Sequence, residues 1–423
     1  MGMKHIVIIG GGFGGINLIE RLSKKNEFII TLVDKNNYNF FPPLLYQLST
    51  GFLEVSNISY PFRKLLRRKK NVNFHLGELE KVVPPENKVI LSTGELVYDY
   101  LVFATGTTTN YFGMDNVKKN ALPMKTVNDA LILRNHILKQ VELAAISKDK
   151  KEQNKLLNIV VVGSGPTGVE ISGMLADMKK DILPKDYPEI IKSKADANIF
   201  VVDGLDAVLK PMSEKSQKDA LKDLTEMGVI VRLGMQVKDY SDDVVTFTNG
   251  TTIETQTLIW AAGVTGMAFE GLPPECYGRG KRLIVDEYNR VKGLNNIFAI
   301  GDTSIQSHEL KFPNGHPQMA QVAIQHGLKL AENFESILRE KSLTPFVYND
   351  KGSMAIIGRN RAVVDMPDNK IHFNGFLAWF MWLFIHLLSL VKNRNRVTTL
   401  FNWAGAYLTK DQSLRMIVRP SEK

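Results

Sequence analysis

The chain opens on an apolar, β-branched run, Ile6–Ile9, of the kind that suits a buried parallel strand. A glycine-rich turn interrupts it. The pattern then resumes at helical spacing, with Ile16, Ile19, Glu20 and Leu22. Phe28–Val33 is apolar again and ends in Asp34. The same signals return later in the chain. Asn158–Val162 predicts a strand, Val169–Met178 a helix, and Ile199–Val202 a second strand ending in Asp203. Between the two blocks, Val72–Leu76 and Lys88–Leu91 are β-like, and Tyr100–Gly106 is an apolar strand running into a small-residue turn. Val141–Leu157 is polar and lysine-rich, a natural boundary. Strand alternating with helix, twice over, predicts an α/β chain with two Rossmann-like domains.

The turns carry the chemistry. Gly10, Gly12 and Gly15 stand in G-x-G-x-x-G spacing, and so do Gly163, Gly165 and Gly168. The first glycine permits the tight turn, the second admits a pyrophosphate against backbone amides, and the third lets helix and strand pack closely. The phosphates then face a helix N-terminus, whose unpaired N–H groups and dipole favour anions. Asp34 is placed to bond an adenosine ribose. Asp203 is the corresponding acid of the second unit, although the gap before it is longer and holds Pro184 and Pro188. The competing reading of Asp203 is an exposed turn aspartate. One such unit fits any nucleotide binder; two suggest FAD and a nicotinamide dinucleotide.

Hydropathy changes character near the end. Phe376–Val391 is apolar on every side, with only His386 and Ser389 polar, and it falls short of the roughly 20 residues a spanning helix needs. A basic segment with Lys392, Arg394 and Arg396 follows, then Leu400–Leu408. Three of the four tryptophans, Trp379, Trp382 and Trp403, lie in this tail. Such a pattern suits a helical region lying on a membrane interface; a dimer interface or core helix is the alternative. His386 on this face reads as a packed histidine.

Composition adds bounds. At 423 residues, 44% apolar and 23% charged, the chain has room for two or three globular domains. A lone cysteine, Cys276, excludes an internal disulfide and points to a reducing compartment. No secretory signal precedes the first strand. The net charge of +9 suits an anionic membrane or a solvated surface, and no nucleic-acid motif or metal-ligand cluster occurs. Arg63, Lys64, Arg67, Arg68, Lys69 and Lys70 read as a solvated helix face. Asn37–Phe52, crowded with aromatics, Pro and Leu, is either a buried loop or a ligand-lining one.

These segments together resemble the two-dinucleotide-binding-domain flavoproteins and, more closely, the type II NADH:quinone oxidoreductases. The resemblance runs over nearly the whole chain: IIGGGFGG, PLLYQ at Pro43–Gln47, ATG at Ala104–Gly106, GSGPTGVE, WAAGV, NIFAIGD, AQVAIQHG at Ala320–Gly327 and DKGSMAIIGR at Asp350–Arg359. Asn39 and Pro42 depart from it, standing where His and Gln are expected. The resemblance implies a discontinuous FAD domain, 1–122 with 289–341, an NADH domain, 123–288, and a membrane-anchoring region, 342–423. It implies FAD as cofactor, NADH as substrate and a membrane quinone as acceptor, in a peripheral homodimer on the cytoplasmic face of the inner membrane. Lys35, Thr105, Gly106, Gly301, Asp302, Ala320 and Lys351 would join the glycines and acids in holding cofactors. Glu170 would lie near the nicotinamide, with a helix-start role as the alternative. Gln321 and Gln325, four apart and so on one helix face, would meet the quinone.

Two rivals remain on the sequence alone: a soluble NAD(P)H-dependent reductase of a ferredoxin-like or small-molecule acceptor, and a slow nucleotide-responsive binding protein. The carboxylate of Asp203 would bond a free ribose hydroxyl and repel a 2′-phosphate. Steady-state kinetics should therefore show NADH preferred over NADPH. Asp203→Asn should narrow that ratio by on the order of tenfold, in line with the ~1.5–3 kcal/mol of a hydrogen bond to a charged group. Equal kcat/KM for both nucleotides in the unmodified protein defeats the assignment.

Overall fold

The computed structural model describes residues 2–411 and 414–418. In the first block, strand β1 (Lys4–Ile9) leads through the glycine turn into helix α1 (Phe13–Leu22) and strand β2 (Phe28–Asp34). Next come α2 (Leu45–Ser49), β3 (Val72–Leu76), β4 (Tyr100–Phe103), α3 (Val127–Ile146) and α4 (Lys150–Leu157). The second block is β5 (Ile159–Val162), α5 (Pro166–Asp181), β6 (Ile199–Val202), α6 (Glu214–Glu226), β7 (Val229–Arg232) and β8 (Thr257–Trp260). Strand β9 (Ile297–Ala299) and helix α7 (Ala320–Leu338) follow. The chain closes with β10 (Ser353–Gly358), β11 (Arg361–Asp365), β12 (His372–Asn374), α8 (Gly375–Ser389) and α9 (Asn393–Thr409).

Two compact units result, each stitched from three segments. The first comprises Met1–Phe40, Tyr60–Thr108 and Val264–Asp350. Its central sheet runs β9-β4-β1-β2-β3, every neighbour parallel. Fully buried Val7, Leu101, Phe103 and Ile297 form the core on one face of that sheet. The second unit comprises Phe41–Ser59, Thr109–Gly263 and Lys351–Lys423. Its sheet places β8, β5, β6 and β7 side by side, again parallel, with the short strand Leu122–Pro123 outside β8. Both sheets reverse their winding beside the strand that carries the glycine turn, the place where doubly wound sheets bind nucleotides.

The partition cuts the chain at other points than the expected FAD, NADH and anchoring boundaries. Residues 264–288 gather with the first unit, and 41–59 and 351–423 with the second. The apparent boundary Val141–Leu157 is helical, forming the end of α3 and the whole of α4. Its lysines stay outside while Ala144, Leu156 and Leu157 turn inward into a cluster with Ile190. Asn37–Phe52 is likewise structured, with Phe41, Leu44, Leu45, Tyr46 and Leu48 buried.

The second unit depends on a close approach between α5 and the C-terminal antiparallel sheet β10-β11-β12. A Cβ on Gly173 would fall on the Ile357 carbonyl oxygen, so no side chain fits there. Gly173→Ala should force helix and strand apart and destabilise the fold by about 1–3 kcal/mol, the usual range for overpacking. Chemical denaturation reads this directly. A midpoint equal to that of the parent protein would show the approach to be looser than described.

Candidate active site: two nucleotide cradles and an apolar cavity

Each glycine turn is built the same way. Gly10 takes φ +103° and Gly163 φ +104°, a left-handed region open to glycine. A Cβ on Gly15 would fall on the Gly10 carbonyl, and one on Gly168 on the Gly163 carbonyl, so each helix starts hard against its strand. Gly12 and Gly165 meet nothing within 4 Å on their Cβ side, which leaves a side-chain-free cradle at the N-termini of α1 and α5. The acids brace the turns. Asp34 accepts from the Gly11 and Asn36 amides, both at 2.8 Å. Asp203 accepts from the Ser164 amide at 2.6 Å and hydroxyl at 2.8 Å, and from the Leu205 amide at 2.9 Å. Asn39, one of the departures noted above, donates to the Gly11 carbonyl at 2.7 Å and so holds the first turn from outside. These cradles fit two dinucleotides: phosphate-sized access to helix amides, and an acid at the end of the next strand.

The remaining first-unit residues gather near their own cradle. Thr105 follows β4 and donates to Thr303 at 3.0 Å; Gly106 has φ +64° and open space beside it. Gly301–Thr303 forms a single 3-10 turn after β9, with Asp302 half-buried at its centre. Lys35 lies 3.8 Å from Glu78, both exposed. Ala320 opens α7. Gln321 and Gln325 sit one turn apart on that helix, both half-buried. The Gln325 amide is engaged by backbone: it donates to the Asn349 carbonyl at 2.9 Å and accepts from the Asn349 amide at 3.0 Å.

The second unit holds the larger surprise, a cavity of about 560 Å³ whose lining is overwhelmingly apolar. Its walls come from α5, the segment around α2, the end of β10, and helices α8 and α9. Glu170, in the first turns of α5, points into it and is almost fully buried. Burial pushes its carboxyl well above the ordinary carboxylate range, against the opposing influence of the Ile356 amide and the Trp382 indole. Tyr46 lies beside it, fully buried, its phenol also raised, chiefly by burial. Gln47 donates to the Tyr46 hydroxyl at 2.8 Å and accepts from the Trp403 indole at 2.7 Å, linking the α2 segment to α9. Asn395 adds three bonds from α9 to the carbonyls of Ser56, Asn57 and Ser59, at 3.2, 2.8 and 3.0 Å. Lys351 begins the C-terminal segment of this unit and is not among the cavity's lining residues.

Helix α8 covers the cavity. Trp382 is fully buried and stacks on His386 with ring centroids 3.8 Å apart, and burial holds that imidazole down to about 4. His386 is a packed neutral histidine, its Nδ1 bonded to the Trp382 carbonyl at 2.8 Å. Phe376, Phe380 and Phe384 line the cavity yet are each more than half exposed, so they form its rim. Sequence reasoning placed Tyr46 and Gln47 within a suggestive motif but assigned them no role. It missed Trp379 and Trp403 as walls, because only the fold brings the two tail helices onto α2 and α5.

Doubly wound sheets, paired glycine cradles and an acid after each second strand define the class of two-dinucleotide-binding-domain flavoproteins. The pyridine nucleotide-disulphide oxidoreductase family profile matches residues 4–327, and the NDH2 C-terminal domain profile matches residues 351–410. The type II NADH:quinone oxidoreductase NdhA of Mycobacterium tuberculosis is 37% identical over 96% of this chain and 88% of its own length. A second such enzyme of that organism, Ndh, is 34% identical over the same shares. Among solved structures, NDH2 from Plasmodium falciparum in complex with NADH superposes with a TM-score of 0.88 at 22% identity, covering 98% of this chain and all of that one. The chain belongs to the type II NADH:quinone oxidoreductases.

Glu170 makes stability depend on pH in a direction opposite to most carboxylates. Its folded-state affinity for a proton exceeds that of the unfolded chain, whose ordinary value is 4.5. Above that value the native state binds more protons, so stability falls as pH rises toward the raised folded value. Glu170→Gln removes this dependence. Its denaturation midpoint should gain on the parent protein as pH rises above 4.5 toward the raised folded value. A constant difference across that range would show that Glu170 is ionised in the folded protein.

Proposed function

We infer that the protein oxidises NADH through bound FAD and passes the electrons to a quinone drawn from a membrane. Family membership supports the overall reaction, and the single observation that carries the acceptor side is the apolar cavity around Glu170. FAD, when bound, supplies the redox chemistry: it takes a hydride from NADH and gives up electrons singly or in pairs. The residues do the rest. Gly10, Gly12, Gly15 and Asp34, with Thr105, Gly106, Gly301 and Asp302, hold FAD in the first unit. Gly163, Gly165, Gly168 and Asp203 hold NADH in the second.

The cavity suits a quinone ring and the start of its tail, because it is apolar and opens among exposed aromatics. Reducing a quinone consumes two protons as well as two electrons. Glu170, held protonated by burial, can donate one at the cavity wall, with Tyr46 beside it as a hydrogen-bond donor. Asp177 and Asp181 line the same cavity two and three turns further along the same face of α5, beyond Met174. Gln321 keeps a neutral amide on the half-buried face of α7 in the first unit. Gln325 serves by holding the Asn349 backbone.

Helices α8 and α9 anchor the protein. Their exposed faces present Phe376, Leu377, Phe380, Phe384 and Leu388, then Leu400, Phe401 and Leu408. No helix among the described residues is long and apolar enough to cross a membrane. At 15 residues, α8 spans about 22 Å, which lies flat on a bilayer more readily than through one. The first unit thus acts as the FAD domain, the second as the NADH domain with its anchor. We place the protein on the cytoplasmic face of the inner membrane, as a homodimer.

Ala404 lines the cavity from α9 and is itself exposed, so Phe can be placed there without overpacking the core. In detergent solution, Ala404→Phe should raise the KM for a quinone analogue about tenfold, the scale of one blocked apolar subsite. Reduction of ferricyanide by NADH should fall much less. Equal losses with both acceptors would place the quinone elsewhere.

A further inference from the structure

The turn Gly301–Thr303 is held on every side by the first unit's own groups. Ser304 Oγ donates to the Gly301 carbonyl at 2.9 Å, and Gln318 Nε2 to the Asp302 carbonyl at 3.2 Å. Thr105 Oγ1 donates to Thr303 Oγ1 at 3.0 Å. The Gly301 N–H goes to a side chain from a distant helix: it donates to His326 Nδ1 at 3.0 Å, with both groups buried. The helix comes close to make this bond, since a Cβ on Gly301 would lie 3.0 Å from the Cβ of Ala323, one turn before His326.

The chemistry of that bond fixes the state of the imidazole. A backbone N–H can be accepted only by a bare ring nitrogen, so Nδ1 carries no proton and Nε2 carries the one proton of a neutral ring. Nε2 has no hydrogen-bond partner among the described residues. The Phe346 ring packs edge-on at 4.1 Å, and His316 stands 5.7 Å away. Burial, with smaller effects of His316 and Arg282, brings the His326 pKa down to about 3, in keeping with the neutral ring that the geometry requires. A buried histidine that stays neutral well below its usual range and spends one nitrogen on one amide is an expensive way to fill space. A phenylalanine would fill it more simply.

We propose that His326 is a positioning residue for flavin binding: its neutral Nδ1 holds the Gly301 amide and so fixes the turn that directs Asp302 toward FAD. This rests on the reading that Asp302 contacts FAD. The His326 Nδ1 is spent on the Gly301 amide, so its effect passes through that turn. It acts through the one backbone group of Gly301 that no nearer partner takes. The same helix carries Gln325, so α7 sets both the flavin turn and the Asn349 backbone.

Three substitutions in the full-length protein separate hydrogen bonding from packing. His326→Asn places an amide oxygen where Nδ1 lies; His326→Gln places the same group about one bond too far along; His326→Phe keeps a ring against Phe346 without an acceptor. FAD titration of deflavinated protein should give a Kd within about threefold of the parent for Asn, and raised about tenfold or more for Gln and Phe, as expected for an unsatisfied buried N–H. Deuterium exchange at the Gly301 amide should quicken in the same two variants. Because Asn and Gln are equally polar, their comparison stands even if the Phe variant does not fold. Equal effects of Asn and Gln, or a Phe variant that binds FAD best, would assign His326 a packing role and overturn the proposal. Asp302→Ala tests the underlying reading. If it leaves FAD affinity intact, the turn is not a flavin site. If it weakens FAD while the Gln and Phe variants bind normally, the His326 proposal alone falls.

Discussion

A helix that must present bare amides to a pyrophosphate has to begin where its strand ends, and that one demand organises both units. It brings the third glycine of each turn onto the carbonyl of the first, Gly15 over Gly10 and Gly168 over Gly163. With helix and strand so close, the neighbouring strand is set as well. Ile9 pairs with Val33 and Val162 with Val202, so the next residue, Asp34 or Asp203, arrives beside the turn and braces an amide within it. An acid that only faced a ribose could tolerate a loose register. One that also bonds the glycine loop cannot, and its carboxylate thereby joins strand, turn and helix into one part.

That local logic explains why so much was legible in the sequence. The strands, turns and acids of both cradles follow from residues within about forty positions of each other, including Asp203 despite the two prolines before it. What failed to show was non-local. Val141–Leu157 looked like a linker because its lysines dominate, whereas a few inward residues suffice to hold α4. The partition of the chain was hidden for the same reason: residues 41–59 join the second unit through the bonds from Asn395 and Trp403, more than 300 residues away. Gln325 looked like a ligand-facing amide. The carbonyl and N–H it actually bonds belong to Asn349, which no helical periodicity reveals.

Helix α5 shows how little freedom is left once these constraints are stacked. Its N-terminus forms the second cradle, Gly168 meets the strand below, and Gly173 meets the backbone of Ile357. The remaining face, Glu170, Met174, Asp177 and Asp181 at helical spacing, lines the cavity. The helix cannot shift to relieve one contact without breaking another. Glu170 therefore stays in an apolar wall only because the cradle and the C-terminal sheet fix its backbone on both sides. Left to itself, a carboxyl of this kind would turn toward water.

The cost of keeping it there is moderated by protonation. An ionised carboxylate with apolar neighbours loses its hydration and gains little in return, so the group retains a proton instead. The wall around Glu170 consequently carries little charge: a carboxyl that favours its proton, a phenol, an amide and an indole, while Asp177, Asp181, Arg359 and Lys410 line the cavity elsewhere. A neutral wall matters for a neutral, apolar guest, since a fixed charge would favour water in the cavity over the guest. In the proposed reaction it matters again, because a carboxyl of raised proton affinity then stands at the wall of the acceptor's cavity. The apolar setting that makes Glu170 costly to ionise is what strengthens its hold on a proton.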